Sequence, residues 1–180
     1  MSAILPPSER VWWKQPLDRV ELIWIVIALV WCLIMFFMMP YWHVYGKQNL
    51  ANEAYRTTPA VFMKKTEAMV AKYKVREEGG ALKVPVVAPP PGSDVYLVAR
   101  LWNWYPILEL EAGKSYRIHL MSMDWLHGFS LQPENINIQV HPGYDHVLTV
   151  TPTHKGTYAI ICNEYCGINH HTMASKLYVK

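Results

Sequence analysis

The chain has 180 residues and a formal net charge of +3, spread without any basic block. That leaves room for one domain plus extra segments and gives no sign of a nucleic-acid partner. Eight Trp and eleven Tyr are many for this length, and amphipathic aromatics gather at membrane interfaces and docking surfaces as well as in cores.

Residues 1–19 precede an apolar run, and residues 20–42 read as a transmembrane helix. Leu22 to Met39 carries no charge and no proline. As a helix it would span about 27 Å at about 1.5 Å per residue, close to a bilayer core of about 30 Å. Trp12 and Trp13 before it, and Tyr41 and Trp42 after it, are placed as interfacial belts. A cleaved signal peptide fits less well, because the run is long and no small-residue cleavage site follows it. Arg10, Lys14 and Arg19 flank one end while Lys47 and Arg56 flank the other, so charge alone does not set the orientation.

Residues 43–93 are expected to connect the anchor to a folded domain. Thr57 to Glu78 has an amphipathic pattern, with Val61, Met69, Val70 and Tyr73 among lysines and a glutamate. Thr57 or Thr58 ahead of Pro59 is a helix start, and Gly79-Gly80 a helix stop. Ala88-Pro-Pro-Pro-Gly-Ser-Asp94 reads as a stiff linker ending in a turn.

From residue 94 to residue 180 the pattern changes to short strands. Val95 to Trp102, Tyr116 to Met121, Ile136 to Val140, Val147 to Thr151, Tyr158 to Cys162 and Lys176 to Val179 are rich in Val, Ile and Tyr and are separated by turn sequences. Six or more closely spaced strands predict a small all-β Greek-key sandwich.

The chemistry is concentrated near the C-terminus, where Cys162, Cys166, His170 and Met173 form Cys-x3-Cys-x3-His-x2-Met. Two thiolates, an imidazole and a thioether make a soft ligand set that favours copper. Structural zinc has no use for the thioether and prefers four strong N or S ligands. A disulfide between Cys162 and Cys166 would close so short a loop that it would restrain little of the unfolded chain. A second imidazole is needed to balance the site. His127, in Asp124-Trp-Leu-His127-Gly-Phe129, is the best candidate, expected on a loop facing the cysteines. His171, beside His170, is a spacing ambiguity. The other histidines read as surface or internally satisfied residues.

Cys-x3-Cys-Gly-x2-His-x2-Met, an upstream Asp-x2-His-Gly-Phe and one N-terminal membrane helix together resemble subunit II of haem-copper cytochrome c oxidases, in its one-helix B-type (ba3-like) form. The resemblance covers the anchor and about Val95 to Lys180. It implies a cupredoxin-like copper A domain on the extracytoplasmic side of a bacterial or archaeal membrane, with the N-terminus cytoplasmic. Cys162 and Cys166 would bridge two copper ions, with His127 and His170 as one imidazole each. Met173 and the backbone carbonyl of Glu164 would be weak axial ligands. The Glu164 side chain would correspond to a carboxylate that reaches magnesium at the subunit I interface, where ba3 enzymes carry glutamine instead. Trp102 or Trp104 would meet the electron donor, cytochrome c, and Asp124 would help dock it. Glu21 corresponds to a carboxylate opening a proton path into subunit I. The implied function is to accept electrons from cytochrome c and pass them to haem in subunit I, where oxygen is reduced with proton translocation; this chain itself would carry no catalytic acid, base or nucleophile. The electron-entry subunit of a copper A-type nitric oxide reductase looks alike and is the alternative. A Sco-type copper chaperone fits poorly, since Gly167 rather than proline follows Cys166 and no βαβ alternation is present.

Overall fold

The computed structural model describes residues 16–45, 53–79 and 83–180. Of the features singled out above, Arg10, Trp12, Trp13, Lys14, Lys47 and Gly80 lie outside the described residues. The chain divides into two compact units, residues 1–47 and residues 48–180.

Among the described residues the first unit holds one helix, α1 (Arg19–Tyr45), 27 residues long. It extends about 40 Å at about 1.5 Å per residue, and it is long and apolar enough to cross a membrane. None of its residues is buried against protein, as a helix that dissolves its side chains in lipid requires. Its start is defined by Asp18, whose backbone N–H donates to the Glu21 carboxylate at 3.1 Å, half of a capping box. Glu21, expected as a proton-path residue, thus has a helix-capping role here.

The second unit is a two-sheet sandwich with one helix. In chain order its elements are β1 (Glu53–Arg56), α2 (Pro59–Tyr73), β2 (Lys74–Glu78), β3 (Val84–Val87), β4 (Asp94–Arg100), β5 (Asn103–Tyr105), β6 (Ile107–Leu110), β7 (Tyr116–Ser122), β8 (His127–Gln132), β9 (Ile136–Val140), β10 (Tyr144–Val150), β11 (Gly156–Cys162) and β12 (Ala174–Val179). One sheet has the order β1-β10-β7-β4-β5 and the other β2-β3-β6-β12-β11-β8-β9. The pairs β4–β7, β3–β6 and β6–β12 are parallel and the rest antiparallel. The predicted all-β sandwich is therefore present, with mixed rather than purely antiparallel pairing.

Strand alternation explains the core. Along β4, Val95, Leu97 and Ala99 face the space between the sheets and join Ile118, Leu120, Phe129, Leu131, Ile160 and Leu177. Val98 points the other way and packs with Met121 and Phe62. A strand of an antiparallel sheet with one wet face would be polar at every second position. β4 is not, because α2 covers its outer face, and Phe62 of α2 packs edge-on against Tyr96.

This corrects the expectation that residues 57–78 form one amphipathic helix. Thr58 is the N-cap and accepts from the Val61 N–H, with Pro59 in the first turn, but the helix ends at Tyr73. Lys74 to Glu78 pairs with Val84 to Val87 instead. The inward face of α2 is Phe62, Thr66, Met69 and Val70, while Val61 is exposed. The Pro-rich stretch is likewise not a free linker. Ala88 N–H donates to the Tyr73 carbonyl and Gly92 N–H to the Ser115 carbonyl, and Pro89 is buried. The segment expected only to connect thus contributes a helix and three strands to the sandwich.

Candidate metal centre

Two strand ends and one loop build the site. β8 begins at His127 and β11 ends at Cys162, and the two strands pair with Cys162 opposite Phe129. His127 therefore opens a strand rather than lying on a loop as expected, and it is 0% exposed. Beyond Cys162 the chain loops out and returns through a 3₁₀ turn at His170–Thr172 to β12. The loop is closed at its base by the Cys162 N–H donating to the Met173 carbonyl at 3.0 Å. Asn163 N–H donates to the Gly128 carbonyl at 3.3 Å, so the ligand loop is fastened to the strand that carries His127.

These constraints bring all the expected side-chain ligands together. Cys162 Sγ lies 3.7 Å from Cys166 Sγ, far beyond the roughly 2.05 Å of a disulfide. Cys162 Sγ lies 3.8 Å from His127 Nδ1 and donates to the Glu164 carbonyl at 3.2 Å. Cys166 Sγ lies 3.7 Å from His170 Nδ1 and 3.7 Å from Met173 Sδ. Each sulfur thus has one imidazole and one weak donor, and the sulfurs face each other. Ligand atoms bound about 2.3 Å (S) and about 2.0–2.1 Å (N) from a shared ion stand about this far apart, so the donor set fits a metal. Of the two adjacent histidines, His170 is the one whose imidazole faces a sulfur, while His171 is exposed.

The electrostatics suit a site that must gain cations. Cys162, Cys166 and Met173 are all buried. Burial, then the neighbouring Cys162 thiol, pushes the Cys166 thiol up to about 12. The Cys166 sulfur is therefore held as the neutral thiol until a metal displaces its proton. Burial also opposes ionisation of Asp124, but hydrogen bonds from His127, Leu101 and Trp125 outweigh it and hold the carboxyl below its usual range.

The aromatic and acidic residues expected at the donor surface divide differently from the sequence expectation. Trp104 is 2% exposed and packs edge-on against Phe129 between the sheets, so it cannot meet a donor. Trp102 is half-buried, and its indole N–H donates to the Cys166 carbonyl at 3.2 Å. Trp102, expected at the end of a strand from Val95, lies instead in the turn between β4, which ends at Arg100, and β5. Asp124, expected to dock a donor, turns inward: it accepts from His127 Nε2 at 2.7 Å and from the Leu101 N–H at 2.7 Å. The Glu164 carboxylate accepts from Gln139 Nε2 at 2.9 Å. Sequence reasoning missed three exposed residues among the ligands: Trp125 (64%), Tyr165 (80%) and Ile168 (78%). Their signal was position, since each lies within two residues of a ligand on a loop, where an apolar side chain has no core to join.

The surrounding backbone admits only glycine at two points. Gly167 has φ +116°, a conformation that strains any residue with a Cβ, and it lies in van der Waals contact with the Trp102 indole. At Gly128 an added Cβ would overlap Asn163 Oδ1 and sit 2.7 Å from the Glu164 nitrogen.

Comparison with known proteins agrees with this geometry. The family described as cytochrome c oxidase subunit II, periplasmic domain, matches residues 106–178. Cytochrome c oxidase subunit 2 of Thermus thermophilus is 34% identical over 110 residues, covering 59% of this chain and 82% of that protein. Probable cytochrome c oxidase subunit 2 of Streptomyces coelicolor is 38% identical over 68 residues, covering 38% of this chain and 21% of that one. A chain in the cryo-EM structure of a heme-copper terminal oxidase dimer superimposes with a TM-score of 0.56 at 22% identity, over 90% of this chain and all of the other, a likeness of fold. With four-fifths of the Thermus protein matched at one residue in three, the chain belongs to the cytochrome c oxidase subunit II family.

Proposed function

We propose that this chain is the electron-entry subunit of a respiratory haem-copper oxidase, taking electrons from cytochrome c and delivering them to haem in subunit I, where oxygen is reduced to water and protons are translocated. The observation that carries the reading is the duplicated arrangement at the site: two facing sulfurs, each with its own imidazole and its own weak donor. A single-ion site has no use for two such half-sets. Cys162, Cys166, His127, His170, Met173 and the Glu164 carbonyl would together hold a binuclear copper A centre. Bound there, the copper centre would supply one-electron acceptance and release.

The chain's own residues do the rest. The β8–β11 pairing and the Cys162–Met173 backbone bond hold the donor atoms on one frame, little of which has to move with a change of charge. Burial of both thiols and Met173 excludes water. Trp102, half-exposed and hydrogen-bonded to the Cys166 carbonyl, is where a donor's edge would approach. α1 would hold the sandwich at the extracytoplasmic face, with the N-terminus in the cytoplasm. A magnesium ion on Glu164 at the subunit I face would share the carboxylate with the Gln139 hydrogen bond, which engages one of its oxygens. Glu21, for its part, would have to leave its capping bond to admit protons.

The test is the optical and EPR spectrum of the copper-loaded full-length chain in detergent. A purple colour and a seven-line mixed-valence signal are expected. Cys162→Ser should abolish both, while Met173→Leu should keep the signal and shift the reduction potential. A four-line signal, or a colourless protein holding only zinc, would sink the binuclear reading. Purified with its partner subunit, the complex should consume oxygen; consumption of nitric oxide alone would reassign the acceptor.

A further inference from the structure

We infer that Asp124 is a positioning residue that fixes the His127 imidazole for metal binding and ties it to the turn carrying Trp102. The inference rests on the reading of His127 as a copper ligand, and it gives Asp124 a different task from donor docking.

The geometry is specific. Asp124 Oδ1 lies 2.7 Å from His127 Nε2 and accepts from the Trp125 N–H at 2.7 Å, with the Ser122 hydroxyl 3.4 Å away. Oδ2 accepts from the Leu101 N–H at 2.7 Å. An ionised carboxylate only accepts, so His127 Nε2 must carry the proton. Nδ1 is then left with its lone pair, and Nδ1 is the atom that faces Cys162 Sγ at 3.8 Å. One hydrogen bond therefore selects the tautomer and the ring orientation that metal binding needs, the usual task of a carboxylate behind a ligating histidine.

The second oxygen does something separate. Leu101 directly precedes Trp102 in the turn between β4 and β5, and Trp102 Nε1 donates to the Cys166 carbonyl. A closed circuit results: Cys162 faces His127, His127 holds Asp124, Asp124 holds Leu101, Trp102 holds Cys166, and Cys166 faces Cys162. The aromatic turn is thereby locked to both halves of the ligand set through one carboxylate. Both of its oxygens are engaged inward, and a residue whose task was to attract a partner from solvent would leave them free.

Two variants separate the two bonds. Asp124→Ala removes both acceptors. In Asp124→Asn the carbonyl still accepts from His127, but the amide nitrogen cannot accept from Leu101. Two quantities are read on the full-length chain in detergent: copper affinity by chelator competition, and amide hydrogen exchange at Leu101 in the metal-free protein. For the alanine variant we expect a roughly 10–100-fold loss of copper affinity and fast exchange at Leu101, with the core amides of Leu120 and Leu148 still protected. For the asparagine variant most of the copper affinity should return while Leu101 still exchanges fast. If the alanine variant keeps wild-type affinity and Leu101 protection, the inference is overturned. If that variant also loses core protection, the asparagine variant decides: wild-type exchange at Leu101 overturns the inference, and selective loss there supports it. The exchange measurement needs no metal. A wild-type chain without a mixed-valence signal would therefore sink the copper assignment while leaving the tie between Asp124 and Leu101 standing.

Discussion

Gly128 shows how much a single residue can decide at this site. It is the second residue of β8, its carbonyl accepts from Asn163, and its Cα faces the start of the ligand loop with no room for a methyl group. Asn163 cannot simply move aside, because its amide donates to Asn137 Oδ1 at 3.1 Å. Gly128→Ala should therefore push residues 163–164 outward, at a cost of about 1–3 kcal/mol for overpacking. It should also move the Glu164 carbonyl away from Cys162. The check is thermal unfolding of the metal-free chain together with the EPR hyperfine pattern of the copper-loaded one; an unchanged melt and an unchanged pattern would show that the loop has slack. At this scale the sequence was most readable for the ligands, because Cys162, Cys166, His170 and Met173 are chemically distinctive and close in the chain. The reason for Gly128 was not readable, since the atoms that exclude a side chain belong to Asn163 and Glu164, on a loop distant in the chain. Nor was the direction of Asp124: spacing places a carboxylate near His127 but does not say which way it points.

At the level of elements, the strands from residue 94 onward announce themselves by Val, Ile and Tyr between turn residues, and β9 falls where predicted. The N-terminal half of the sandwich does not. Lys74 to Glu78 continues the helical spacing of α2 and is largely exposed, and only its pairing with β3, a tertiary event, makes it a strand. Val84 to Val87 is too short to stand out, yet Val86 and Val87 are fully buried and β3 lies between β2 and β6. α2 is likewise part of the domain and not a spacer, which can be measured. Phe62 is 1% exposed in a small cluster with Val98 and Met121, apart from the cluster that contains the cysteines. Phe62→Ala should cost about 3–5 kcal/mol by loss of transfer energy and a cavity, while leaving the copper spectrum of the folded chain unchanged. Denaturant unfolding gives the first quantity and the visible spectrum the second. A loss below about 1 kcal/mol would mean that α2 packs as an independent appendage.

For the whole molecule, the question is what draws an electron donor to the site. A basic donor steered by charge needs acidic groups around the entry point. This chain carries a net charge of +3, and the two carboxylates within the ligand segments are both engaged, Asp124 with His127 and Leu101 and Glu164 with Gln139. The large side chains these segments expose are Trp125, Tyr165 and Ile168, and the other exposed residues among them, Asn163, Asn169, His171 and Thr172, add no carboxylate. Docking should therefore be driven by apolar contact, whose strength is nearly indifferent to dilute salt, and not by steering. Stopped-flow reduction of the copper-loaded full-length chain by a reduced small c-type cytochrome measures this between about 0.01 and about 0.15 M ionic strength, over which the screening length falls from about 30 to about 8 Å. The rate should change by much less than the roughly tenfold or greater fall that loss of electrostatic steering brings. Replacing Trp125 with Ser should slow it at every salt concentration alike. A steep fall with salt in the wild-type chain would instead place the docking charges on residues outside the ligand segments, and would leave the exposed aromatic and aliphatic side chains to face the partner subunit.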